Sequence, residues 1–221
     1  MQKICSGAKP EIRNLLPGER REQYLGDVLK GLTAEKKFIS SIFFYDEEGS
    51  KLFEKITDLP EYYLYNTEKK ILREIAPDIC ESLEGIDIVE IGSGDCSKIS
   101  ILLNAIPGKK RKTIRYIPVD ISYSALRDSA DIMAERFPGI EFSGIVADFM
   151  NQMHRIPVAS GRFFCFFGST IGNLSGSAAL AYLTGLREVM SPGDNLLLGV
   201  DMVKDINIIE RAYNDSEGGT A

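Results

Sequence analysis

Histidine is almost missing from this chain, which holds one, His154, among 221 residues. Its four cysteines, Cys5, Cys80, Cys96 and Cys165, form no CxxC pair. Zinc sites draw on clustered Cys and His, so no metal centre is expected. Positive charge is not in excess either: 26 Lys and Arg stand against 32 Asp and Glu, for a net charge of −6. That balance gives no general attraction to nucleic acid or to anionic lipid, and it favours a small-molecule partner. The one basic cluster, GKKRK at 108–112, reads as a solvated turn between a helix and a strand. No apolar run approaches membrane-spanning length, and residues 1–10 lack the apolar core of a signal peptide. A reducing, cytoplasmic location is expected, in which the sequons at Asn173 and Asn214 go unglycosylated.

What is present is ordinary globular material. Apolar residues make up 44% and charged residues 26%, which argues against long disorder. The length suits one substantial α/β domain with a small appendage. Across residues 19–83 the apolar spacing is helical: Leu25, Val28, Leu29 and Leu32 recur at i, i+3, i+4, i+7, and Leu52, Phe53, Ile56 and Leu59 repeat it. A third helix is expected to start at Asn66 or Thr67 and to carry Ile71, Leu72, Ile75 and Ile79, with Pro77 bending it. The aromatic stretch PEYYLYN before it reads as a loop. From residue 86 onward five short apolar runs, at 86–91, 114–119, 140–146, 162–167 and 196–200, alternate with helical stretches. Runs without clean alternation, joined by helices, indicate a parallel sheet buried on both faces, so the expected fold is doubly wound α/β. The division is a helical region at 1–84 and an α/β domain at 85–221.

The first run enters a glycine turn, IVEIGSGDCS at 88–97. Gly92 and Gly94 let the backbone approach a ligand at the carboxyl ends of the strands. A dinucleotide fingerprint asks for a third glycine where this chain has Ser97, and the acid Glu90 before the turn is poorly suited to a diphosphate. S-adenosylmethionine, which carries no phosphate, suits E-x-G-x-G better. Asp120 ends the second run, where a carboxylate accepts ribose hydroxyls in nicotinamide and methyl-donor enzymes alike. Asp148 with Phe149 follows the third run, an acid and a ring suited to the adenine amino group and face. Lys98 is placed to pair with the methionine carboxylate. Each has an ordinary alternative: Asp120 as a helix cap, Asp148 as a turn residue, Lys98 as an exposed lysine in a first helical turn. Three acids and a glycine turn at the ends of successive strands make a coherent cofactor site.

The stretch FFYDEEGSKLFEKITDLPEYYLYNTE at 43–68, with EIGSGDCSK, YIPVDIS, VADF, FFGSTIGNL and DMVKD, resembles the histidine-specific S-adenosylmethionine-dependent N-methyltransferase family. One member trimethylates the α-amino group of histidine in ergothioneine biosynthesis. The resemblance runs from about Leu32 to the last residue, and the aromatic block and GSTIGN are its specific parts. It implies a class I methyltransferase sheet. It implies Gly92, Lys98, Asp120, Asp148 and Phe149 as cofactor contacts, Tyr62, Asn173 and Tyr213 as holders of an amino-acid substrate, and Tyr45 beside Asn173 at the reacting amine. From the residues alone GSTIGN also reads as a plain turn and Tyr62–Tyr63 as packing aromatics. The resemblance further implies roughly another hundred residues beyond this chain, so an incomplete C-terminal end is expected. An exposed last strand would favour a second copy or a complementing chain. Two other readings stand beside histidine methylation: transfer to another amine, such as a tryptophan derivative, and a cofactor-binding remnant without turnover.

Overall fold

The computed structural model describes residues 10–16, 21–44, 47–157 and 161–214. Its centre is a six-stranded sheet in the order β1-β4-β3-β2-β5-β6, with every pairing parallel. The strands are β1 (Glu11–Asn14), β2 (Asp87–Ile91), β3 (Arg115–Asp120), β4 (Glu141–Val146), β5 (Arg162–Phe166) and β6 (Asn195–Leu198). The helices are α1 (Arg21–Thr33), α2 (Glu47–Thr57), α3 (Tyr63–Cys80), α4 (Ser97–Ala105), α5 (Gly108–Arg111), α6 (Tyr123–Arg136), α7 (Phe149–Gln152), α8 (Gly176–Val189) and α9 (Ile206–Tyr213). All five residues of β2 are buried, because both of its faces are covered. On one face Ile88, Tyr116 and Cys165 pack with Leu72, Ile99, Leu103 and Met133 of α3, α4 and α6. On the other, Val89, Ile91, Val119 and Phe166 pack with Tyr182 and Leu186 of α8. The sequence-based expectation of a doubly wound parallel sheet is what the chain adopts.

Two local expectations change. Five strands were legible, and the sixth, β1, lies inside the region read as helical. Its sequence EIRN carries one apolar residue, so no alternation betrays it. Backbone pairing with β4 creates it, Ile12 fits beside Gly144, and Leu15 N–H extends the ladder to Val146 O at 2.8 Å. Helix α3 begins at Tyr63, three residues before the expected cap. Tyr62 supplies no side-chain cap there, and burial of Tyr62 and Leu64 against Ile56 and Ala212 anchors the first turn instead. Pro77 sits within the helix.

The basic cluster forms α5 and serves the fold. Arg111 donates to Ile106 O at 2.9 Å and Asn104 O at 2.7 Å, and Lys110 donates to Glu81 O at 2.8 Å, so cations satisfy the carbonyls that end α4 and α3. Among the described residues no helix is long and apolar enough to cross a membrane.

Candidate active site

The carboxyl ends of β2, β3, β4 and β5 converge on one edge of the sheet. After Ile91 the chain turns through Gly92 at φ 65° and Gly94 at φ 53°, left-handed conformations that favour glycine. A Cβ at Gly94 would meet nothing within 4 Å, and one at Gly92 only the edge of Phe149 at 3.9 Å. The turn thus keeps a bare backbone in front of the strand ends. Asp120 holds it there, accepting from Gly94 N–H at 3.1 Å and from Ser122 N–H at 2.9 Å. Burial pushes the Asp120 carboxyl up from its usual range, against the opposing pull of those backbone donors. The alternative in which Asp120 caps the next helix does not occur, because Ser122 accepts from Ala125 N–H in that role.

Glu90 lies beneath the turn, 2% exposed, and accepts the hydroxyl proton of Tyr116. Desolvation raises its pKa to about 8, although Tyr116 pulls the other way. Its position is that of a support for the turn from the core side, next to Cys96 and Tyr116.

Lys98, in the first turn of α4, pairs with Glu68 of α3 at 2.6 Å and stands 5.4 Å from the Tyr65 ring centroid. Asp148 is the N-cap of α7, accepting from Met150 N–H at 3.0 Å and Asn151 Nδ2 at 2.8 Å. Its turn role and its place at the end of β4 are therefore one arrangement. Phe149 packs edge-on to Phe166 and Tyr182, at 5.7 and 5.9 Å, and closes the floor beside Gly92.

A second group gathers where α9 returns to α3. Tyr62, 7% exposed, meets Phe53 and Tyr213 edge-to-face at 6.1 and 5.9 Å. Tyr213 is 47% exposed, and burial, then Tyr63 and Asp201, push its phenol up. Asn173 ends the 3-10 turn Thr170–Asn173 and is exposed. Among the described residues no hydrogen bond or ring contact joins it to the tyrosine pair. Tyr45 lies outside the described residues.

Residues that sequence reasoning missed hold these groups together. Tyr65 bonds Ser97 at 2.7 Å and Asp95 at 3.0 Å, fastening α3 to the glycine turn. Tyr63 donates to Asp201 at 2.5 Å, Lys204 reaches the same carboxylate at 2.6 Å, and Ser169 Oγ accepts from Asp201 N–H at 3.0 Å. Donors from Lys204 and Tyr63 outweigh burial and hold the Asp201 carboxyl below its usual range. The only prior signal was that Tyr65 and Glu68 sit in the aromatic block and Asp201 in DMVKD. A hollow of about 230 Å³ lined by Asp87, Lys112, Arg115 and Glu141 lies at the opposite, amino ends of the strands, remote from all of these groups.

The arrangement suits an adenosine-bearing ligand that also carries a carboxylate. It offers open backbone at Gly92 and Gly94, a fixed carboxylate at Asp120, an acid and ring at Asp148 and Phe149, and an ammonium at Lys98. Among the described residues no cluster of His, Cys, Asp and Glu is suited to a metal.

The chain is 40% identical over 195 residues to histidine N-alpha-methyltransferase of Mycolicibacterium smegmatis, covering 88% of this chain and 60% of that protein. It is 28% identical to the 4-dimethylallyltryptophan N-methyltransferase easF of Arthroderma benhamiae, over 92% of this chain and 63% of that one. The chain thus spans under two thirds of the length of these curated relatives. Among solved structures, the CurJ carbon methyltransferase superposes with a TM-score of 0.50 at 17% identity, covering 86% of this chain and 50% of the other, which shows a shared fold. The profile of the histidine-specific, S-adenosylmethionine-dependent methyltransferases matches residues 24–221, nearly the whole chain, and the chain belongs to that family.

Proposed function

We propose that this chain is the cofactor-binding part, with much of the substrate site, of an N-methyltransferase that acts on the α-amino group of an amino acid, histidine first. The observation that carries the reading is the convergence of Gly92, Gly94, Asp120, Asp148, Phe149 and Lys98 at the carboxyl ends of successive strands. The likeness to a histidine N-alpha-methyltransferase supports the acceptor. A relative acting on dimethylallyltryptophan supports a second acceptor class, a tryptophan derivative.

When bound, S-adenosylmethionine supplies a sulfonium-activated methyl group. The remaining work belongs to the chain. Asp120 retains acceptor capacity for ribose hydroxyls while its two backbone donors fix it, Asp148 and Phe149 receive the adenine, and Lys98 receives the carboxylate. Methyl transfer is an in-line displacement, so the protein must hold an unprotonated amine opposite the methyl carbon. The Asn173 carbonyl accepts an amine N–H and orients the lone pair, a catalytic task the family resemblance assigns also to Tyr45, and the hydroxyls of Tyr62 and Tyr213 bind the substrate carboxylate without adding charge. In this reading residues 1–84 contribute to the substrate site and 85–221 hold the cofactor. The unpaired, buried thiols of Cys80, Cys96 and Cys165 support a reducing, cytoplasmic location. A second copy or complementing chain along the outer edge of β6 belongs to the same proposal, and light scattering that returns a monomer removes it.

Calorimetric titration with S-adenosylhomocysteine, with NAD as control, tests the cofactor site. Saturable binding of the first alone is expected. Mass spectrometry of pooled amino acids incubated with the chain and S-adenosylmethionine then identifies the acceptor. A chain that binds but methylates nothing is the non-catalytic remnant, and a mass gain on tryptophan derivatives alone overturns the histidine assignment.

A further inference from the structure

We infer that Glu68 is a positioning residue, which holds the Lys98 ammonium toward the cofactor site and fixes the Gly168 turn that leads to Asn173. The inference rests on the cofactor reading above. Both carboxylate oxygens of Glu68 accept from Gly168 N–H, at 3.0 and 2.9 Å, and Oε2 carries Lys98 Nζ at 2.6 Å. The two side chains are only 17% and 14% exposed, so solvent screens this pair less than an ordinary surface pair.

Two glycines make room for it. A Cβ at Gly199 would stand 1.8 Å from Glu68 Oε1, and a Cβ at Gly168 would stand 3.2 Å from Lys98 Nζ. Gly168 also has φ 77°, which favours glycine in its own right. The ends of β5 and β6 are thus cleared for one carboxylate arriving from α3. That carboxylate, carried by α3, touches two things at once: the lysine after the glycine turn and the loop before Asn173.

The chemistry gives the pair a purpose beyond holding helices together. An ammonium has three protons, and Glu68 engages one direction of it while the Tyr65 ring lies at 5.4 Å. Lys98 is left with donors for a second carboxylate, on a side chain whose long stem is already ordered. Ordering before binding lowers the entropy lost when an anionic ligand group arrives. A neutral residue at 68 would return that cost to the binding step.

The test is a double-mutant cycle read by calorimetric titration of the 221-residue chain with S-adenosylhomocysteine. Glu68→Gln keeps an oxygen for Gly168 N–H and removes the charge, and it is expected to weaken binding about tenfold, the range of one charge-assisted hydrogen bond. Lys98→Met is expected to weaken it at least as much. The double variant should lie within about twofold of Lys98→Met alone, because Glu68 acts through Lys98. Full multiplication of the two losses, or wild-type affinity in Glu68→Gln, overturns the inference while leaving the cofactor site standing. A folded wild-type chain that fails to bind at all overturns the cofactor reading and this inference with it. If Glu68→Gln does not fold, Glu68→Asp, which keeps the charge on a shorter arm, replaces it in the cycle under the same criterion.

Discussion

At the scale of single residues, Asp120 and Glu90 show how similar groups take different tasks from their surroundings. Asp120 uses one oxygen on the glycine turn and one on the start of α6, so its charge braces the turn before any ligand is present. Asp120→Asn can satisfy only part of that set. It should weaken S-adenosylhomocysteine binding about tenfold or more, with little change in melting temperature, as read by calorimetry beside a thermal scan. Glu90 predicts a pH effect on stability. Its pKa rises from 4.5 in the free side chain to about 8 in the fold, so the unfolded chain releases this proton first as pH increases. The stabilisation is fully present below about pH 4.5 and is lost as pH rises toward 8, a loss on the order of a few kcal/mol. Urea unfolding across that window should show Glu90→Gln with a flatter profile than wild type, since an amide still accepts from Tyr116 and does not titrate. Equal slopes would remove Glu90 as the source. The acids were legible as a set because each ends an apolar run. That Glu90 faces inward was not, since the pleat that turns it toward Tyr116 depends on which strand lies beside β2.

At the scale of elements, α3 carries the most information. Tyr62, just before its first turn, serves packing and, in the proposed function, substrate binding, roles that a single substitution cannot separate but a pair can. Tyr62→Ala removes a ring that is 7% exposed and should cost about 3–5 kcal/mol in urea unfolding. Tyr62→Phe keeps the ring. It should keep most of that stability and raise the acceptor KM severalfold, if the hydroxyl binds the substrate carboxylate as proposed. Unchanged acceptor KM in Tyr62→Phe would leave this tyrosine with packing alone. Strands β5 and β6 supply the contrasting case of a charge buried for structure. Arg162 and Asp194 are 0% and 1% exposed at 2.8 Å, with Arg162 also donating to Val189 O at 2.6 Å. Asp194→Ala strands a buried guanidinium and should cost about 3–5 kcal/mol. Asp128→Ala, which breaks the exposed pair with Arg127, should cost under about 1 kcal/mol. Chemical denaturation of the two variants side by side checks both figures.

At the scale of the whole molecule, the proposed site draws on residues from position 62 to position 213, so ligand binding and global stability should be linked. A ligand that binds only the folded chain stabilises it by about 2.7 kcal/mol at 100 times its Kd. Unfolding with S-adenosylhomocysteine at that ratio should show that gain in wild type and a smaller one, at the same concentration, in Asp120→Asn. Absence of any shift in a chain that binds by calorimetry would mean that the site unfolds apart from the rest.

What the sequence determined by itself was the alternation of buried runs and helices, and with it the parallel sheet and the edge on which Gly92, Asp120 and Asp148 meet. These are local signals, set by hydrophobic period and by the conformational freedom of glycine. The tertiary structure decided the existence of β1, whose four residues pair only because β4 offers an unpaired edge. It decided the early start of α3, where buried tyrosine replaces a cap, and the partnership of Glu68 with Lys98 and Gly168. All three depend on groups distant in sequence, and the last on groups 30 and 100 residues apart brought to 3.0 Å or less; no pattern within either segment records the distance between them.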